Sequence, residues 1–479
     1  MRVSLWFIRA IQAAALLSCC GALNPLYAQF GGEGVSSARK KNNEIRTRAH
    51  KAPRIRKFPI NPPPRNSDEN RTSEPVVSPA VESRNQGLSS LTSGDYEKAV
   101  EFFNLAIKQN PGDAYSYYYL GAAYSALKKY DEVVAAYEKA IRLNPQAADA
   151  DTYYNLGGAY FELKNYPEAA KALTKAIARE ERNNDAYIDL GDAYSKMYNW
   201  PEAIKAYNKA LEIKPDIDDP DIYYNLGVAY DAQNQSEKAI EFYQKAIEHN
   251  ITDAAVAYYK IGFAYYNLNK QPEAVEAFKK ELETKSDDIN AANAYYYLGE
   301  YYSEQRKYAE AIEAYKGTIR INPKDDLAYY NLAVAYYNSR PPLMKEAIST
   351  LQDAIKVIVD SNGNPFTDYR FLGRIYLDSN QTAEAVEPLE KAASLDPKDG
   401  ETHYRLGLAY KRLSRLPEAV EQFKQAISLG SGERFVPGAH YNLGEAYLKM
   451  NNTTGAQEEC NTLKPLDQAM ANRLCLQIK

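Results

Sequence analysis

The stretch YIDLGDAYSKMYNWPEAIKAYNKALEIKP, from Tyr187 to Pro215, decides the fold of this chain. Its apolar residues recur three and four positions apart in two successive segments, and that spacing marks one face of a helix. Pro201 opens the second segment, where the first turn of a helix does not need the N–H that proline lacks. Gly191 has no side chain, so two helices can approach closely there. The stretch therefore predicts a helical hairpin.

The same pattern recurs along most of the chain, usually at intervals of 34 to 37 residues. A Leu or Ile precedes a small residue, a Tyr follows three positions later, and an Ala or Val usually follows twelve positions later. Because one hairpin cannot bury its own apolar face, such repeats must stack into a solenoid. The small residues, here called register residues, are Gly121, Gly157, Gly191, Gly227, Gly262, Gly299, Ala333, Gly373, Gly407 and Gly444.

This pattern resembles the tetratricopeptide repeat (TPR) over about four-fifths of the chain. The resemblance implies an all-α fold, a right-handed superhelical solenoid of about eleven two-helix TPR units. The units would span residues 85–465, the first one degenerate, with a C-terminal capping helix over 466–479. Two insertions, "SRPPLMKEA" and "VDSNGNPFTDY", and the stretch "SGERFVPG" depart from the pattern, and we expect kinks or separations there. The family signature is met at Tyr187, Leu190, Gly191, Tyr194, Ala203, Tyr207, Ala210 and Pro215.

Residues 1–28 have the composition of a signal peptide. Arg2 and Arg9 are their only charges, and the apolar core after Arg9 is too short to span a bilayer as a mature helix. Cleavage after Ala28 fits a signal peptidase, whereas the stretch Ala15 to Cys19 resembles a bacterial lipobox and would make Cys19 a lipidated N-terminus. An uncleaved anchor is a third alternative. We therefore predict export to the periplasm or cell envelope, with membrane contact only through this N-terminus.

Residues 29–84 are predicted to form a disordered linker rich in Pro, Ser and Arg, because few of them are apolar. Between positions 31 and 85 there are 12 Lys and Arg against 6 Asp and Glu, although the whole chain has a net charge of −5. This basic arm is either a solvated spacer or a contact for cell wall, anionic lipid or nucleic acid. We favour the spacer, and nucleic acid is not an expected partner.

No motif in the sequence predicts catalysis or a cofactor. It lacks a Gly-rich phosphate loop after a strand, an HExxH motif and a GxSxG motif. His403 and His440 take places where other repeats have Tyr, which favours packing over metal binding. Cys460 and Cys475 could form a disulfide after export or stay reduced, and their spacing does not decide between the two. We predict a protein that is not an enzyme, with no cofactor and no metal site.

The resemblance implies that the first helix of each repeat lines a concave groove that holds extended peptides. By their offsets from Gly157, Tyr153 and Tyr160 are predicted to pack in the scaffold, while Tyr154 and Asn155 face the groove. A ladder of amides could pair with any peptide backbone, or each amide could bond to a neighbouring helix. The asparagines in this place are Asn155, Asn225, Asn331 and Asn442.

Cations cluster near the C-terminus at positions predicted to face the same groove. Arginines among aromatic residues suit a carboxylate or an acidic segment of a partner. The alternative is a solvated helix face. The predicted residues are Arg370, Arg374, Arg405, Lys411 and Arg412.

Taken together, the sequence predicts an exported, non-catalytic scaffold that binds proteins or peptides in a concave groove. Extended or acidic segments are the expected ligands, with no small-molecule substrate. The alternative is a targeting or regulatory subunit of a multi-subunit enzyme or secretion complex. The sequence does not determine the oligomeric state.

Overall fold

The computed structural model describes residues 78–146, 148–284, 288–430 and 432–478. Across these residues the secondary structure is α-helical, without a β-strand. The chain divides into two compact units, Met1–Glu181 and Arg182–Lys479. The predicted signal peptide, with Cys19, and nearly all of the predicted linker lie outside the described residues.

The unit Met1–Glu181 contains three helical hairpins in its described part. Its helices are α1 (Pro79–Ser93), α2 (Tyr96–Gln109), α3 (Ala114–Ala126), α4 (Tyr130–Leu143), α5 (Ala150–Glu162) and α6 (Tyr166–Arg179). Helix α1 begins at Pro79, so the first hairpin includes residues 79–84, which composition had assigned to the linker. Ser78 stabilises that start because its hydroxyl accepts a hydrogen bond from the Val81 N–H.

The unit Arg182–Lys479 contains eight hairpins and one further helix in its described part. Its helices are α7 (Asn184–Lys196), α8 (Trp200–Ile213), α9 (Pro220–Ala232), α10 (Ser236–Glu248), α11 (Ala254–Asn267), α12 (Gln271–Glu283), α13 (Ile289–Glu304), α14 (Tyr308–Ile321), α15 (Asp326–Asn338), α16 (Met344–Asp360), α17 (Phe366–Asp378), α18 (Thr382–Leu395), α19 (Gly400–Arg412), α20 (Leu416–Leu429), α21 (Val436–Lys449), α22 (Thr453–Leu466) and α23 (Gln468–Ile478).

In every hairpin the two helices pack against each other, and within each unit most second helices also contact the first helix of the next hairpin. Helix α23 contacts both α22 and α21, and its Leu474 packs against Gly444, the last register residue. The described residues therefore form eleven hairpins and a C-terminal cap, which confirms the predicted all-α fold and the predicted count.

The register glycines are needed because a side chain of another helix occupies the space beside them, in most repeats an aromatic ring of the second helix and in the others a leucine. A Cβ atom added at Gly191 would lie 2.5 Å from Cε1 of Tyr207, and one added at Gly299 would lie 2.6 Å from Cε1 of Tyr315. Both rings are almost completely buried. The close helix approach predicted from the small residues is therefore present.

The two insertions do not interrupt the core. A single cluster of buried side chains extends from Tyr296 through Leu332 and Leu351 to Leu372 and Ile375, across both insertions. Helix α16, between the insertions, is 17 residues long. A separation at these loops is therefore wrong, because apolar side chains of neighbouring hairpins pack continuously across them, and a kink there stays a prediction.

At the C-terminal end, Cys460 of α22 and Cys475 of α23 form a disulfide, with their Cα atoms 5.5 Å apart. The sequence left open whether these two cysteines are bonded or reduced. The packing of α23 against α22 brings them together as a disulfide. The predicted capping helix is present at Gln468–Ile478. Among the described helices, none combines the length and the apolar character that crossing a membrane requires.

Candidate functional site: the inner face of the first helices

The first helices of neighbouring hairpins lie closer together than the second helices. In the unit Arg182–Lys479, α7 contacts α9, α11 contacts α13, and α17 and α21 both contact α19. Between successive second helices of the described residues, contacts of that extent are absent. Neighbouring elements approach most closely on the inner side of a curved stack. We therefore call the solvent side of the first helices in this unit the inner face.

Tyr154 and Asn155 do not face solvent, so the prediction that they line a groove is wrong. Tyr154 is 1% exposed and Asn155 is 6% exposed. The equivalent tyrosine of another hairpin, Tyr224, shows the reason, because its ring packs on Tyr243 of its own second helix at 5.5 Å. Asn155 lies beside the buried hydroxyl of Tyr137 instead of beside a groove.

The remaining asparagines of the predicted ladder bond to their own chain, mostly across hairpins. Asn225 Nδ2 donates to Oδ1 of Asp192 at 3.1 Å, and Asn331 Nδ2 donates to the Tyr296 hydroxyl at 2.9 Å. Asn331 is also buried, so its assignment to the groove surface is wrong. These contacts favour the alternative in which the amides join neighbouring helices.

Asn442 also bonds to groups of its own chain. Its Nδ2 donates to the carbonyl oxygen of Gly438 at 2.7 Å, and its Oδ1 accepts from Lys411 Nζ at 2.6 Å. Lys411 also forms an ion pair with Glu445, and its side chain is only 13% exposed. Lys411 therefore joins α19 to α21 and is not a solvated cation.

The predicted arginines lie near one another, but the chain's own acidic residues neutralise most of them. Arg370 Nη1 donates to Asp399 Oδ1 at 3.2 Å, and Arg405 forms a hydrogen-bonded ion pair with Glu401. Arg412 is more exposed and donates to the Leu377 carbonyl oxygen at 2.9 Å. Glu401 lies four residues before Arg405 in the same helix, whereas only stacking of the hairpins brings Asp399 to Arg370, which composition could not show.

Arg374 belongs to an aromatic contact between first helices that we call the Tyr337 seam: Tyr337, Phe371, Arg374 and Asp378. The rings of Tyr337 and Phe371 meet at 5.5 Å, and the Arg374 guanidinium lies 5.2 Å from the centre of the Tyr337 ring. Asp378 accepts from the Tyr337 hydroxyl at 2.7 Å and lies 3.5 Å from Arg374 Nε. The seam thus contains an anion, a cation and two rings in mutual contact.

A second aromatic contact was not identified from the sequence, and we call it the Tyr266 seam: Tyr266, Tyr297, Glu300 and Glu304. The rings of Tyr266 and Tyr297 lie 4.9 Å apart, and Phe263 packs within 6.4 Å of Tyr266. Tyr266 remains 41% exposed. Burial, followed by the charges of Glu300 and Glu304, raises the pKa of the Tyr266 hydroxyl. Comparing offsets from the register residues would have revealed this seam.

Two buried carboxyl groups replace small residues of the repeat. Glu281 is completely buried where most repeats have Ala, and neither carboxyl oxygen has a hydrogen-bond partner. Burial, then the charges of Asp288 and Asp253, raise the pKa of Glu281 to about 8. Burial, then the charge of Asp326, raise the pKa of Asp368 to about 7. Near neutral pH Glu281 is therefore largely protonated, and Asp368 is protonated in part.

The described residues contain no cluster of His, Cys, Asp or Glu that could hold a metal ion. Nδ1 of His403 lies 2.7 Å from Oε1 of Gln422, and Nδ1 of His440 lies 2.5 Å from Oε2 of Glu459. Each contact joins the first and second helices of one hairpin, which agrees with the predicted packing role.

Family models match most of the chain that the structure describes. Models described as tetratricopeptide repeat match residues 85–113, 114–146, 149–216, 184–250, 224–289 and 400–429, and one described as TPR repeat matches 300–339 and 373–414. A search of curated proteins finds no match.

Solved structures are similar to parts of the chain. A crystal structure of MamA is 28% identical, covering 36% of this chain and 93% of its own, with a TM-score of 0.34. YrrB, described as a TPR protein with an unusual peptide-binding site, is 26% identical, covering 37% and 89%, with a TM-score of 0.35. The C-terminal part of a TPR repeat-containing protein from Cytophaga hutchinsonii is 23% identical, covering 52% and 98%, with a TM-score of 0.45. Because each score is below 0.5, no property of these proteins is carried over.

Proposed function

The chain belongs to the tetratricopeptide repeat family of protein-interaction scaffolds, and we propose that it binds extended segments of other proteins along its inner face. The observation that carries this proposal is the row of half-exposed aromatic rings on successive first helices. The rings are Phe263, Tyr266, Tyr297, Tyr330, Tyr337 and Phe371.

Such a row is suited to protein recognition. Aromatic rings supply a large contact area at a small cost in side-chain entropy, and they are enriched at protein interfaces. Their hydroxyl groups, and the charges beside them, can bond to a peptide while the rings exclude water. No catalytic step is part of the proposal, since recognition by this row requires only contact.

The arginine cluster is a poorer site for an acidic segment than the sequence predicted. An acidic ligand would have to displace Asp399, Glu401 or Glu445 from the cations that they already hold. Arg412, which carries no such ion pair among the described residues, could still contact a carboxylate. We therefore propose the aromatic row as the main contact and Arg412 as an accessory one.

We further propose that the protein acts outside the cytoplasm, in the periplasm or cell envelope. Disulfides persist chiefly in oxidising compartments, and the Cys460–Cys475 bond agrees with the predicted export signal. Lipidation at Cys19 stays a prediction. Fractionation of cells producing wild-type and Cys19→Ser protein would test it, because only loss of membrane association in the variant supports an anchor.

Photo-crosslinking in intact cells, followed by mass spectrometry, tests the binding surface. A crosslinking amino acid placed at Tyr266 or Tyr330 should capture proteins, whereas one at the exposed Glu310 of second helix α14 should not. Several captured partners support a general scaffold, and one stoichiometric catalytic partner supports the regulatory-subunit alternative. Equal capture at the inner and outer positions would contradict the proposed surface.

A further inference from the structure

We propose that Asp231 of helix α9 and Lys260 of helix α11 together bind an amide group of the partner segment, its carbonyl oxygen on Lys260 and its N–H on Asp231. We call these two residues the charged seam. The inference rests on the proposed function, because it assigns a chemical class to one contact of the inner face. It comes from a pair of opposite charges that the fold brings together without a hydrogen bond.

The repeat places the two residues on facing sides of one seam between first helices. Asp231 lies four positions after the register residue Gly227, and Lys260 lies two positions before the next one, Gly262. Each charge acts on the pKa of the other residue, so the two side chains lie near one another. Both are half-buried, and a ligand on the inner face can therefore reach them.

Other seams show that side chains at these two places meet. The two rings of the Tyr337 seam occupy them and lie 5.5 Å apart, and the two rings of the Tyr266 seam lie 4.9 Å apart. Lys411 and Asn442 occupy them as well, and Lys411 Nζ donates to Asn442 Oδ1 at 2.6 Å. In each of these seams the chain closes the contact with its own side chains.

The charged seam is not closed in this way. In the part of the chain that the structure describes, the Lys260 ammonium donates no hydrogen bond, the Asp231 carboxylate accepts none, and no ion pair joins them. Burial lowers the pKa of Lys260 and raises that of Asp231, and in each case the other charge opposes the change. Charges withdrawn from water without hydrogen bonds are unfavourable. A group that bonds to both should therefore bind favourably.

The helices on either side of this seam stand further apart than their neighbours do. Helix α7 contacts α9 closely, and α11 contacts α13 closely, whereas contacts of that extent are absent between α9 and α11. They are absent between α15 and α17 too, and there the large rings of Tyr337 and Phe371 span the distance. In the charged seam a carboxylate and an ammonium take the places of those rings and do not meet, which leaves room for a small group between them.

An amide has the chemistry that this pair requires. Its carbonyl oxygen accepts hydrogen bonds from an ammonium, and its N–H donates to a carboxylate. It is also neutral, whereas a carboxylate of the ligand would be repelled by Asp231 and a cation by Lys260. The amide can come from the backbone of an extended segment or from a Gln or Asn side chain. The experiment distinguishes these two sources.

Saturation-transfer NMR on the full chain tests the proposal with peptides of one design, acetyl-Leu-X-Leu-N-methylamide. X is Gln, Met, Glu or an N-methylated Met. If a side chain supplies the amide, the Gln peptide should bind roughly ten-fold more tightly than the Met peptide. If the backbone supplies it, Gln and Met peptides should bind alike and N-methylation should weaken binding by a similar factor. In both cases the Glu peptide should bind no better than the Met peptide.

Two variants and a control assign the binding to the charged seam. Lys260→Met should weaken the preferred peptide roughly ten-fold, because the carbonyl loses a hydrogen bond to a charged donor. Asp231→Leu combined with Lys260→Met removes both charges, so that no buried charge is left uncompensated, and it should abolish the differences between the peptides. Lys245→Met removes an ammonium from the exposed ion pair with Glu241 on the second helix α10, and it should leave binding unchanged.

Equal binding of the Gln, Met and N-methylated peptides to the wild-type chain would overturn the proposal. So would tightest binding of the Glu peptide, or the same differences between peptides in the double variant. Circular dichroism shows whether each variant is folded, and the double variant keeps the test valid if Lys260→Met alone unfolds. Failure of this inference is separable from failure of the proposed function. If the double variant still crosslinks the same partners from position 330, the scaffold function stands without the amide site; if the wild-type chain crosslinks none, the scaffold function itself fails.

Discussion

The Tyr266 and Tyr337 seams use the same positions of the repeat and differ mainly in the charge beside the ring. In the Tyr337 seam, Arg374 lies between a ring and a carboxylate, so the attraction is satisfied within the chain. In the Tyr266 seam, Glu300 takes that place, and the charges of Glu300 and Glu304 raise the pKa of the Tyr266 hydroxyl together with its burial. A repeated backbone thus presents one geometry many times, and a single side chain determines which charge lies beside the ring at each seam.

Each seam also has a buried carboxyl group in one of the hairpins that form it. Glu281 lies in α12, which forms a hairpin with the helix carrying Tyr266, and Asp368 lies in α17, which carries Phe371 and Arg374. Both groups replace small residues, and burial raises the pKa of each. Proton release from them would place a charge among apolar side chains, which costs free energy. The stability of both seams should therefore depend on pH.

The largest expected effect comes from Glu281. Its ordinary pKa is 4.5 and its folded value is about 8. Between these values the unfolded chain releases the proton and the folded chain retains it, so the free energy of unfolding should fall as pH rises from about 4.5 to about 8. We expect a fall of about 5 kcal/mol from this group, with no further loss above that range.

Urea unfolding of the wild-type chain and Glu281→Gln at pH 5 and pH 9 measures this effect. The wild-type midpoint should drop more between the two pH values than that of the variant, which cannot ionise. Asp368→Asn should remove a smaller part of the pH dependence, because its pKa is raised only to about 7. Parallel pH dependence in all three proteins would contradict the assignment.

A smaller effect is expected from the register residues, which differ between the two seams. Gly299→Ala should destabilise the hairpin α13–α14 by about 2 kcal/mol, because the new Cβ would lie 2.6 Å from the rigid, buried Tyr315 ring. Ala333→Gly in the hairpin of Tyr337 should cost about 1 kcal/mol through helix propensity alone. Hydrogen exchange measures the stability of each of the two hairpins separately. If Gly299→Ala left the stability of its hairpin unchanged, the Tyr315 ring would have to be able to move away from the added methyl group.

Removing the Arg374 cation from the Tyr337 seam should lower the free energy of unfolding by less than Gly299→Ala does. Arg374→Ala loses the contact with the Tyr337 ring and the ion pair with Asp378, and a loss of about 1 kcal/mol is expected because the arginine is one-third exposed. The matched control is Lys356→Ala on the exposed face of α16. Equal thermal midpoints for these two variants would mean that the arginine adds nothing to the seam.

Most of the fold could be predicted from local sequence because its determinants are local. The spacing of apolar residues, Pro201 at a helix start and Gly191 beside Tyr207 act within a single hairpin, and stacking then repeats the same contact. The insertions were misjudged because their length was visible, whereas the apolar packing between Tyr296 and Ile375 was not.

The candidate site could be predicted only in part. The sequence predicted that the first helices face the ligand, which stays a prediction, and it placed Arg374 on one of them, where Arg374 contacts the Tyr337 ring. It placed Tyr154 and Asn331 on that surface too, although both are buried. An offset within a helix gives a direction around the helix axis, but burial depends on how closely the neighbouring helices pack.

The sequence by itself determined that this chain is an array of helical hairpins, because helix periodicity and small register residues act over short distances along the chain. Only the tertiary structure decided which polar side chains satisfy one another. Arg370 and Asp399 are far apart in sequence, as are Lys411 and Glu445, and stacking of the hairpins brings each pair together. The same stacking gives Tyr337 its arginine and leaves Tyr266 beside glutamates, because equivalent positions meet at every seam whatever residues occupy them.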